Sequence, residues 1–175
     1  MNGLKLSRLK DILESLKNLS IMVVGDFCLD VYWYADMTRS DLSRETPHYT
    51  RPIVKETYSP GGSGNICCNV KALGVNKVFA VTVIGEDWRG QILKEKLREN
   101  GVILNNLLTS SEVVTPTYIK PILCGWDSQQ EDSRLDFVNY KAMSESLETR
   151  LIQNIESLAS KVDAAIIEDQ MTRNG

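Results

Sequence analysis

The densest cluster of residues that could do chemistry is the glycine-rich stretch PGGSGN at positions 60–65, directly before an apolar run. Glycine lets a ligand approach the backbone closely, and the free N–H groups at the start of a helix attract oxygen-rich ligands. Asn65 adds a side chain that both donates and accepts hydrogen bonds, which suits a ligand with hydroxyl groups. The stretch predicts either a binding turn for such a ligand or a structural glycine turn that enters a helix.

Two phosphate-binding motifs do not fit this stretch. A P-loop ends in Gly-Lys-Ser/Thr, because the lysine reaches the phosphates and the hydroxyl binds magnesium. Here Gly64 is followed by Asn65 and Ile66, which excludes a P-loop. A dinucleotide fingerprint, G-x-G-x-x-G, directly follows the first strand, whereas residues 62–67 lack the third glycine and come later. The glycine spacing therefore argues against a nucleotide-binding oxidoreductase.

Two aspartates follow the short apolar run IMVVG at positions 21–25. Asp30 comes four residues after Asp26, past the carboxyl end of a predicted strand, which is where open α/β sheets bind ligands. Its carboxylate could accept two hydrogen bonds from neighbouring hydroxyl groups, or it could cap a loop. For Asp26 we favour a structural role, in which the side chain bonds backbone N–H groups.

Hydrophobic periodicity predicts the elements that must position these residues. Apolar runs typical of buried parallel strands occur at 21–26, 77–85 and 163–169. Helical spacing of apolar residues occurs at 4–19, 63–73, 86–101 and 143–161, and further strand-like segments at 102–108, 115–124 and 133–139. Residues 31–58 are rich in β-branched and aromatic side chains and predict a β-excursion from the main sheet. Because strands and helices alternate, we predict an α/β domain with a mainly parallel sheet.

Composition and charge limit the classes of partner. A chain of 175 residues with 42% apolar and 25% charged residues is typical of one globular domain. The net charge of -3, without a basic stripe, gives no reason to expect nucleic acid. No segment approaches the roughly 18 apolar residues that cross a membrane, and the N-terminus does not resemble a signal peptide. We therefore expect a cytoplasmic protein without nucleic-acid or membrane partners.

The cysteines and the single histidine do not predict a metal site. Four cysteines, Cys28, Cys67, Cys68 and Cys124, form no CxxC pair and no zinc spacing. Free thiols in a reducing compartment are the prediction. His48 lies in a polar stretch, where we expect no metal or catalytic role.

The motifs together resemble a known family. The segments VVGDFCLDVYWY, SPGGSGNICCNVKALG, VTVIGEDWRGQIL and NGV, in this order and around a β-rich interval, resemble the PfkB/ribokinase family of carbohydrate kinases. The resemblance runs from about residue 20 to the end and implies a ribokinase-like α/β fold. Such a fold has a mainly parallel, Rossmann-like sheet flanked by helices and a small β-lid, here at about 31–58.

Further segments relate the chain to one branch of that family. TYIKP followed by RLDF is similar to the branch that includes heptose-phosphate kinases. SRETP stands where that branch has SPEAP, and EDQMTRNG where it has Asp-Tyr-x-Lys-Gly, which is more similar to a sister group. The substrate class implied is a sugar or a sugar phosphate.

The resemblance also implies a sugar site. The sugar hydroxyls would be held by Asp30, by the backbone of Gly61 and Gly62, and by Asn65. Arg39 in the lid, with Arg44 as second choice, would meet a sugar phosphate, and the lid would form a homodimer interface.

Arg134 is a further candidate for the sugar phosphate, since it lies on a strand predicted to enter the site. The alternative for Arg134 is a surface ion pair with Asp132 or Asp136.

The family carries its ATP and Mg²⁺ site in its C-terminal half, in a Gly-Ala-Gly-Asp motif with the catalytic base and an Asn-x-x-Glu motif. Neither motif occurs in the 175 residues. We therefore expect the chain to be the N-terminal portion of one kinase domain, without the ATP-binding half, without catalytic residues or bound cofactors, and inactive alone. The complete protein would transfer phosphate from ATP to a sugar hydroxyl. The alternative is a non-catalytic sugar-binding or dimerisation module, or a pseudoenzyme.

Overall fold

The computed structural model describes residues 5–171 of the chain. The helices are α1 Leu6–Leu16, α2 Ser63–Ala72, α3 Trp88–Glu99 and α4 Glu145–Ala159, with one 3-10 turn at Met37–Arg39. The strands are β1 Ser20–Gly25, β2 Phe27–Asp36, β3 Ile53–Gly62, β4 Lys77–Gly85, β5 Leu107–Ser110, β6 Thr117–Cys124, β7 Gln129–Glu131, β8 Leu135–Phe137 and β9 Ala164–Glu168. Within this range no helix combines the length and the apolar character that crossing a membrane requires.

The first sheet is parallel throughout, with strand order β5-β4-β1-β9. Its strands confirm the parallel strands predicted at 21–26, 77–85 and 163–169. The first two are mostly buried, as predicted, but β9 is largely exposed, with Ile167 79% exposed, because β9 is the edge strand of this sheet among the described residues. Side chains that alternate along β1 pack on opposite faces. Ile21 and Val23 join the core cluster that contains Leu93 of α3, whereas Met22 packs with Leu158 of α4. Helices therefore flank both faces of this sheet, as predicted for an α/β domain.

The second sheet is mixed, with strand order β3-β2-β6-β7 and with β8 also paired to β6. β2 pairs antiparallel with β3 and parallel with β6. The β-excursion is longer than the predicted segment 31–58, because β2 starts at Phe27 and β3 continues to Gly62. The stretch PGG is thus the end of a strand rather than a turn, and α2 begins immediately after it.

The alternation of side chains between the two faces of β2 explains the direction of Asp30. Phe27, Leu29 and Val31 are buried in the core, so Cys28 and Asp30 project from the other face of the mixed sheet. Asp30 lies within this strand and not in a loop, so the loop-capping alternative for Asp30 is wrong.

Helix boundaries follow the predicted signals closely. Asp87 caps α3 by accepting from the N–H of Gly90, and α2 and α3 are followed by Gly74 and Gly101, both with positive φ. Residue 4 of the predicted helix 4–19, and residues 172–175 of EDQMTRNG, lie outside the described residues. β7 was not predicted, since its three residues are polar and exposed.

Candidate functional site

A polar cavity of about 340 Å³ lies where the parallel sheet meets the mixed sheet. Its lining comes from the residue after β1, from β2, β3 and β6, from the residue before β8, and from the segment after β9. The lining residues are Asp26, Cys28, Asp30, Gly62, Tyr118, Lys120, Arg134, Gln170 and Met171. The cavity therefore gathers three of the predicted site residues: Asp30, Gly62 and Arg134.

Asp30 forms an ion pair across two strands of the mixed sheet. Lys120 Nζ lies 2.9 Å from Asp30 Oδ1 and 3.3 Å from the hydroxyl oxygen of Tyr32. The parallel register sets Tyr32 opposite Lys120, and the ammonium group lies 4.8 Å from the centroid of the Tyr32 ring. The side chains of Lys120 and Asp30 are only 20% and 23% exposed, so the pair is largely shielded from bulk water.

The environment keeps Lys120 charged. Burial lowers the pKa of Lys120, but the hydrogen bonds to Asp30 and Tyr32 raise it, and the net pKa lies above the ordinary lysine value. Lys120 is therefore a fixed positive charge in the cavity at neutral pH.

The glycines of the predicted binding turn make room for protein groups. A Cβ on Gly61 would lie 2.6 Å from Asp30 Oδ2 and 2.6 Å from Cys28 Sγ. Gly62 has a φ of +54°, and a Cβ there would overlap the carbonyl oxygen of Asp26. Only glycine allows these approaches. Glycine at these positions thus lets Asp30 and Asp26 come against β3, whereas the sequence had suggested the approach of a ligand.

Asp26 is the single residue between β1 and β2, and it joins three parts of the chain. Its Oδ2 accepts hydrogen bonds from the N–H groups of Gln170 at 2.8 Å and Met171 at 2.7 Å. Its carbonyl accepts from the N–H of Ser63 at 2.8 Å, and the Ser63 hydroxyl donates to Glu168 at 2.8 Å. These contacts confirm that Asp26 bonds backbone N–H groups, although in the segment after β9 rather than in its own loop.

Arg134 combines the two interpretations offered for it. Its guanidinium donates to both carboxylate oxygens of Asp136, at 2.6 and 2.7 Å, which is one of the predicted ion pairs. The same guanidinium stacks on Tyr118 at 4.6 Å and lines the cavity. Arg134 is thus held in place at the cavity wall by a carboxylate and an aromatic ring.

Besides Gly61, which contacts Asp30 from β3, three other predicted residues do not line this cavity. Asn65 is exposed on α2, where its side chain accepts from Asn69 at 3.5 Å. Arg39 is exposed and pairs with Asp36 at 2.9 Å, at the far end of β2. Arg44, the second choice, is exposed in the loop between β2 and β3.

Cys28 is a buried thiol in the cavity wall. Burial, followed by the charge of Asp30, raises the pKa of Cys28 to about 12. The group is therefore a neutral thiol at physiological pH, and it does not serve as a nucleophile. The four cysteines are free, as predicted.

A second, larger cavity of about 480 Å³ lies between α4 and the parallel sheet, on the other side of Asp26 and Met171. Most of its lining is apolar, including Val24, Val81 and Leu151. Polar groups also reach the larger cavity, among them Lys141 and Glu148, but most of the lining of the smaller cavity is polar, so the smaller one is the candidate site for a polar ligand.

Sequence reasoning missed Lys120 and Tyr118 as site residues. Both belong to the strand predicted at 115–124, but their place in the site depends on the pairing of β6 with β2, about 90 residues earlier in the chain. Within residues 5–171, no group of three or more His, Cys, Asp or Glu side chains could hold a metal ion.

A parallel sheet with helices on both faces, and a mixed sheet that carries a polar cavity at the carboxyl end of the first strand, define a ribokinase-like α/β protein. The family model "pfkB family carbohydrate kinase" matches residues 18–170. The chain therefore belongs to the pfkB family of carbohydrate kinases, which confirms the resemblance in the sequence.

Curated relatives cover most of this chain. "Bifunctional protein HldE" of Wolinella succinogenes is 33% identical over 158 residues, which is 90% of this chain and 32% of that protein. The protein of the same name from Campylobacter curvus is 33% identical over 153 residues, or 87% of this chain and 31% of that protein. The chain thus spans about a third of the length of the curated relatives it matches.

Solved structures share the fold. A carbohydrate kinase from Agrobacterium tumefaciens superimposes with a TM-score of 0.61 at 19% identity, over 85% of this chain and 45% of that one. The ribokinase of Arabidopsis thaliana complexed with ribose and ATP gives 0.52 at 22% identity, over 78% and 43% of the two chains. At these identities the likeness establishes the ribokinase-like fold alone.

Proposed function

We propose that this protein is a sugar kinase in which the cavity around Asp30 and Lys120 binds the sugar hydroxyls. The observation that carries the proposal is the ion pair of these two residues in the wall of the polar cavity, at the carboxyl end of β1. Open α/β sheets bind ligands at this edge. Family membership adds the reaction class, which is phosphoryl transfer to a carbohydrate.

The cavity suits a polyhydroxylated ligand. Hydroxyl groups both donate and accept, and the wall offers acceptors on Asp30 and donors on Lys120 and Arg134. Arg134 also supplies a positive charge for a phosphate group, so a sugar phosphate is within the proposal. A heptose phosphate is the finer proposal, supported by the similarity of TYIKP and RLDF to that branch.

The other predicted sugar contacts fall into two groups, those at the cavity and those away from it. Gly62 lines the cavity, and Gly61 shapes it through Asp30. Asn65 and Arg39 stay predictions, since their side chains lie elsewhere on the described surface.

We propose that ATP and Mg²⁺ are bound by groups outside the 175 residues. The described residues do not fit such a site: they contain no cluster that could hold a metal, and the sequence lacks both nucleotide motifs of the family. The chain alone is expected to bind sugar without turning over ATP.

The mixed sheet is also the proposed homodimer interface of a cytoplasmic enzyme. Among the described strands, none pairs with the outer side of β3, and that region exposes Leu42, Tyr49 and Val54. An unpaired edge with apolar neighbours is suited to association. Light scattering of the full-length protein tests this, and a monomeric mass at micromolar concentration would exclude the dimer.

A kinase assay tests the function itself. The full-length gene product is mixed with ATP, Mg²⁺ and a panel of D-ribose, D-fructose, D-mannose, a heptose and their phosphate esters, and ADP release is followed. We expect saturable turnover of at least one sugar, and binding without turnover by residues 1–175 alone. Saturable sugar binding by the full-length protein without ADP release would instead support a non-catalytic sugar-binding module or pseudoenzyme.

A further inference from the structure

We infer that Lys120 is a positioning residue that orients Asp30 and binds the sugar beside it, so that the pair recognises two neighbouring hydroxyl groups. The inference rests on the proposed sugar-binding role of the cavity. It concerns a residue on β6 that no motif of the sequence had marked as part of the site.

The Asp30 carboxylate is held from two sides. Lys120 donates to Oδ1 at 2.9 Å, and Oδ2 lies against the backbone of Gly61, where a Cβ would be only 2.6 Å away. Within residues 5–171, no group donates a hydrogen bond to Oδ2. An ionised carboxylate accepts at both oxygens, so Oδ2 is the acceptor left for a ligand hydroxyl.

Lys120 has a donor left for the ligand as well. An ammonium group carries three N–H donors. One points to Asp30 and one to the Tyr32 hydroxyl at 3.3 Å, which leaves the third. Stacking on the Tyr32 ring at 4.8 Å and the largely buried stem limit the directions that this ammonium can take.

The two free groups are complementary to a pair of hydroxyls. One sugar hydroxyl donates to Asp30 Oδ2, and the oxygen of its neighbour accepts from the third N–H of Lys120. Both residues line the same cavity, so one ligand can reach both. A contribution to folding stability does not explain this ion pair well, because partly buried ion pairs often add no more to the free energy of unfolding than apolar residues of similar volume.

The experiment uses the full-length protein and three substitutions. Lys120→Met removes the ammonium group and keeps the stem length, and Lys120→Arg keeps the charge. Lys55→Met is the matched control, because Lys55 also stacks on a tyrosine of the mixed sheet, Tyr34 at 5.1 Å, but does not line the cavity. The probe is the panel sugar with the highest kcat/KM, together with its monodeoxy analogues.

We expect Lys120→Met to raise the KM for this sugar at least fivefold while kcat changes less than threefold. Lys120→Arg should recover part of the affinity, and Lys55→Met should match the wild type. In the wild type, removal of the sugar hydroxyl at either of two adjacent positions should raise KM. Lys120→Met should abolish this increase in KM at one of the two positions. A purely structural lysine would lower stability without this selective change.

The inference is overturned if folded Lys120→Met has a KM less than five times that of the wild type, or if the increase in KM from each hydroxyl removal stays unchanged. Circular dichroism checks folding, and Lys120→Gln is judged by the same criteria if the Met variant is unfolded. A wild-type protein that neither binds nor phosphorylates any panel sugar would refute the proposed function. An active wild type with an unaffected Lys120→Met would refute only the role of Lys120.

Discussion

At the scale of single residues, the shape of the cavity depends on the close approach of Asp30 to Gly61. Gly61 is buried, and the space that a side chain would fill is taken by Asp30 Oδ2 and Cys28 Sγ. The glycine could be identified as important from the stretch PGGSGN, but its partner could not. That partner lies on the antiparallel neighbour β2, and the register between the strands places Cys28 opposite Gly61.

Gly61→Ala is expected to weaken sugar binding through Asp30. The new methyl group must displace the carboxylate or the thiol, at a cost of about 1–3 kcal/mol in unfolding free energy. We expect the sugar KM to rise at least fivefold. Gly74→Ala is the control, since Gly74 has a φ of +100° and nothing within 4 Å of an added Cβ. It should cost about 1–2 kcal/mol of stability through the backbone and leave KM unchanged, and an unchanged KM in Gly61→Ala would contradict the account.

Two buried thiols make the stability of the fold depend on pH in the alkaline range. Cys28 and Cys67 are 5% and 0% exposed, and burial raises the pKa of each from 9.0 to about 12. Because the folded pKa is the higher one, their contribution to stability is complete below pH 9. It is lost as the pH rises toward 12, since the unfolded chain releases these protons more readily.

Urea unfolding between pH 8 and pH 10.5 measures this effect. At pH 10.5 each thiol should have lowered the unfolding free energy by on the order of 2 kcal/mol relative to pH values below 9. This follows from a loss of about 1.4 kcal/mol for each pH unit above 9. The double variant Cys28→Ala and Cys67→Ala should lose less stability over this range than the wild type. Cys124→Ala, at a partly exposed position on β6, should follow the wild type. Equal slopes for the double variant and the wild type would show that the buried thiols are not the cause.

At the scale of elements, the start of α3 is fastened to the strand that carries Lys120. Asp87 accepts from the N–H of Gly90 at 2.8 Å and from the N–H of Thr115 at 2.9 Å, two residues before β6. Arg89 adds a contact at 3.0 Å. Burial raises the pKa of the Asp87 carboxyl, but these hydrogen bonds outweigh it and the net pKa lies below the ordinary value.

Asp87→Ala is expected to lower the unfolding free energy by about 2–3 kcal/mol, because buried N–H groups lose a charged acceptor. Ser144→Ala, which removes the partly exposed N-cap of α4, should cost only about 0.5–1 kcal/mol. The folded pKa of Asp87 is lowered, so its contribution is present above pH 3.8 and is lost as the pH falls further. Thermal unfolding at pH 7 and pH 3 should therefore show a smaller Asp87→Ala effect at pH 3. Equal effects of the two variants at pH 7 would refute the second contact to Thr115.

The elements themselves were largely predictable, since hydrophobic period and capping signals are local. The helix predicted at 86–101 begins at its Asp87 cap, and the run 77–85 forms β4 without a shift. The pairing within the mixed sheet was not predictable from local signals. Short polar strands such as β7 bury no apolar face, and β6, the parallel partner of β2, lies about 90 residues away along the chain.

At the scale of the whole molecule, the two sheets meet at Asp26, and the cavity opens beside this junction. The order of the motifs predicted the family, which is confirmed, and it indicated the region of the candidate site. The chemistry inside the cavity, an acceptor on Asp30 beside a donor on Lys120, required the tertiary pairing of β2 with β6. The polar cavity and the pfkB family together support a sugar-binding role for this part of the chain.

The most direct test of that role is the kcat/KM of Asp30→Asn in the full-length protein, for the panel sugar that the wild type phosphorylates best. Asp41→Asn is the matched control, because Asp41 is exposed in the loop between β2 and β3 and does not line the cavity. Loss of a hydrogen bond to a charged group costs about 1.5–3 kcal/mol. We therefore expect Asp30→Asn to lower kcat/KM at least tenfold and Asp41→Asn to change it less than twofold. A folded Asp30→Asn variant with the wild-type kcat/KM would contradict the proposal that this cavity binds the sugar.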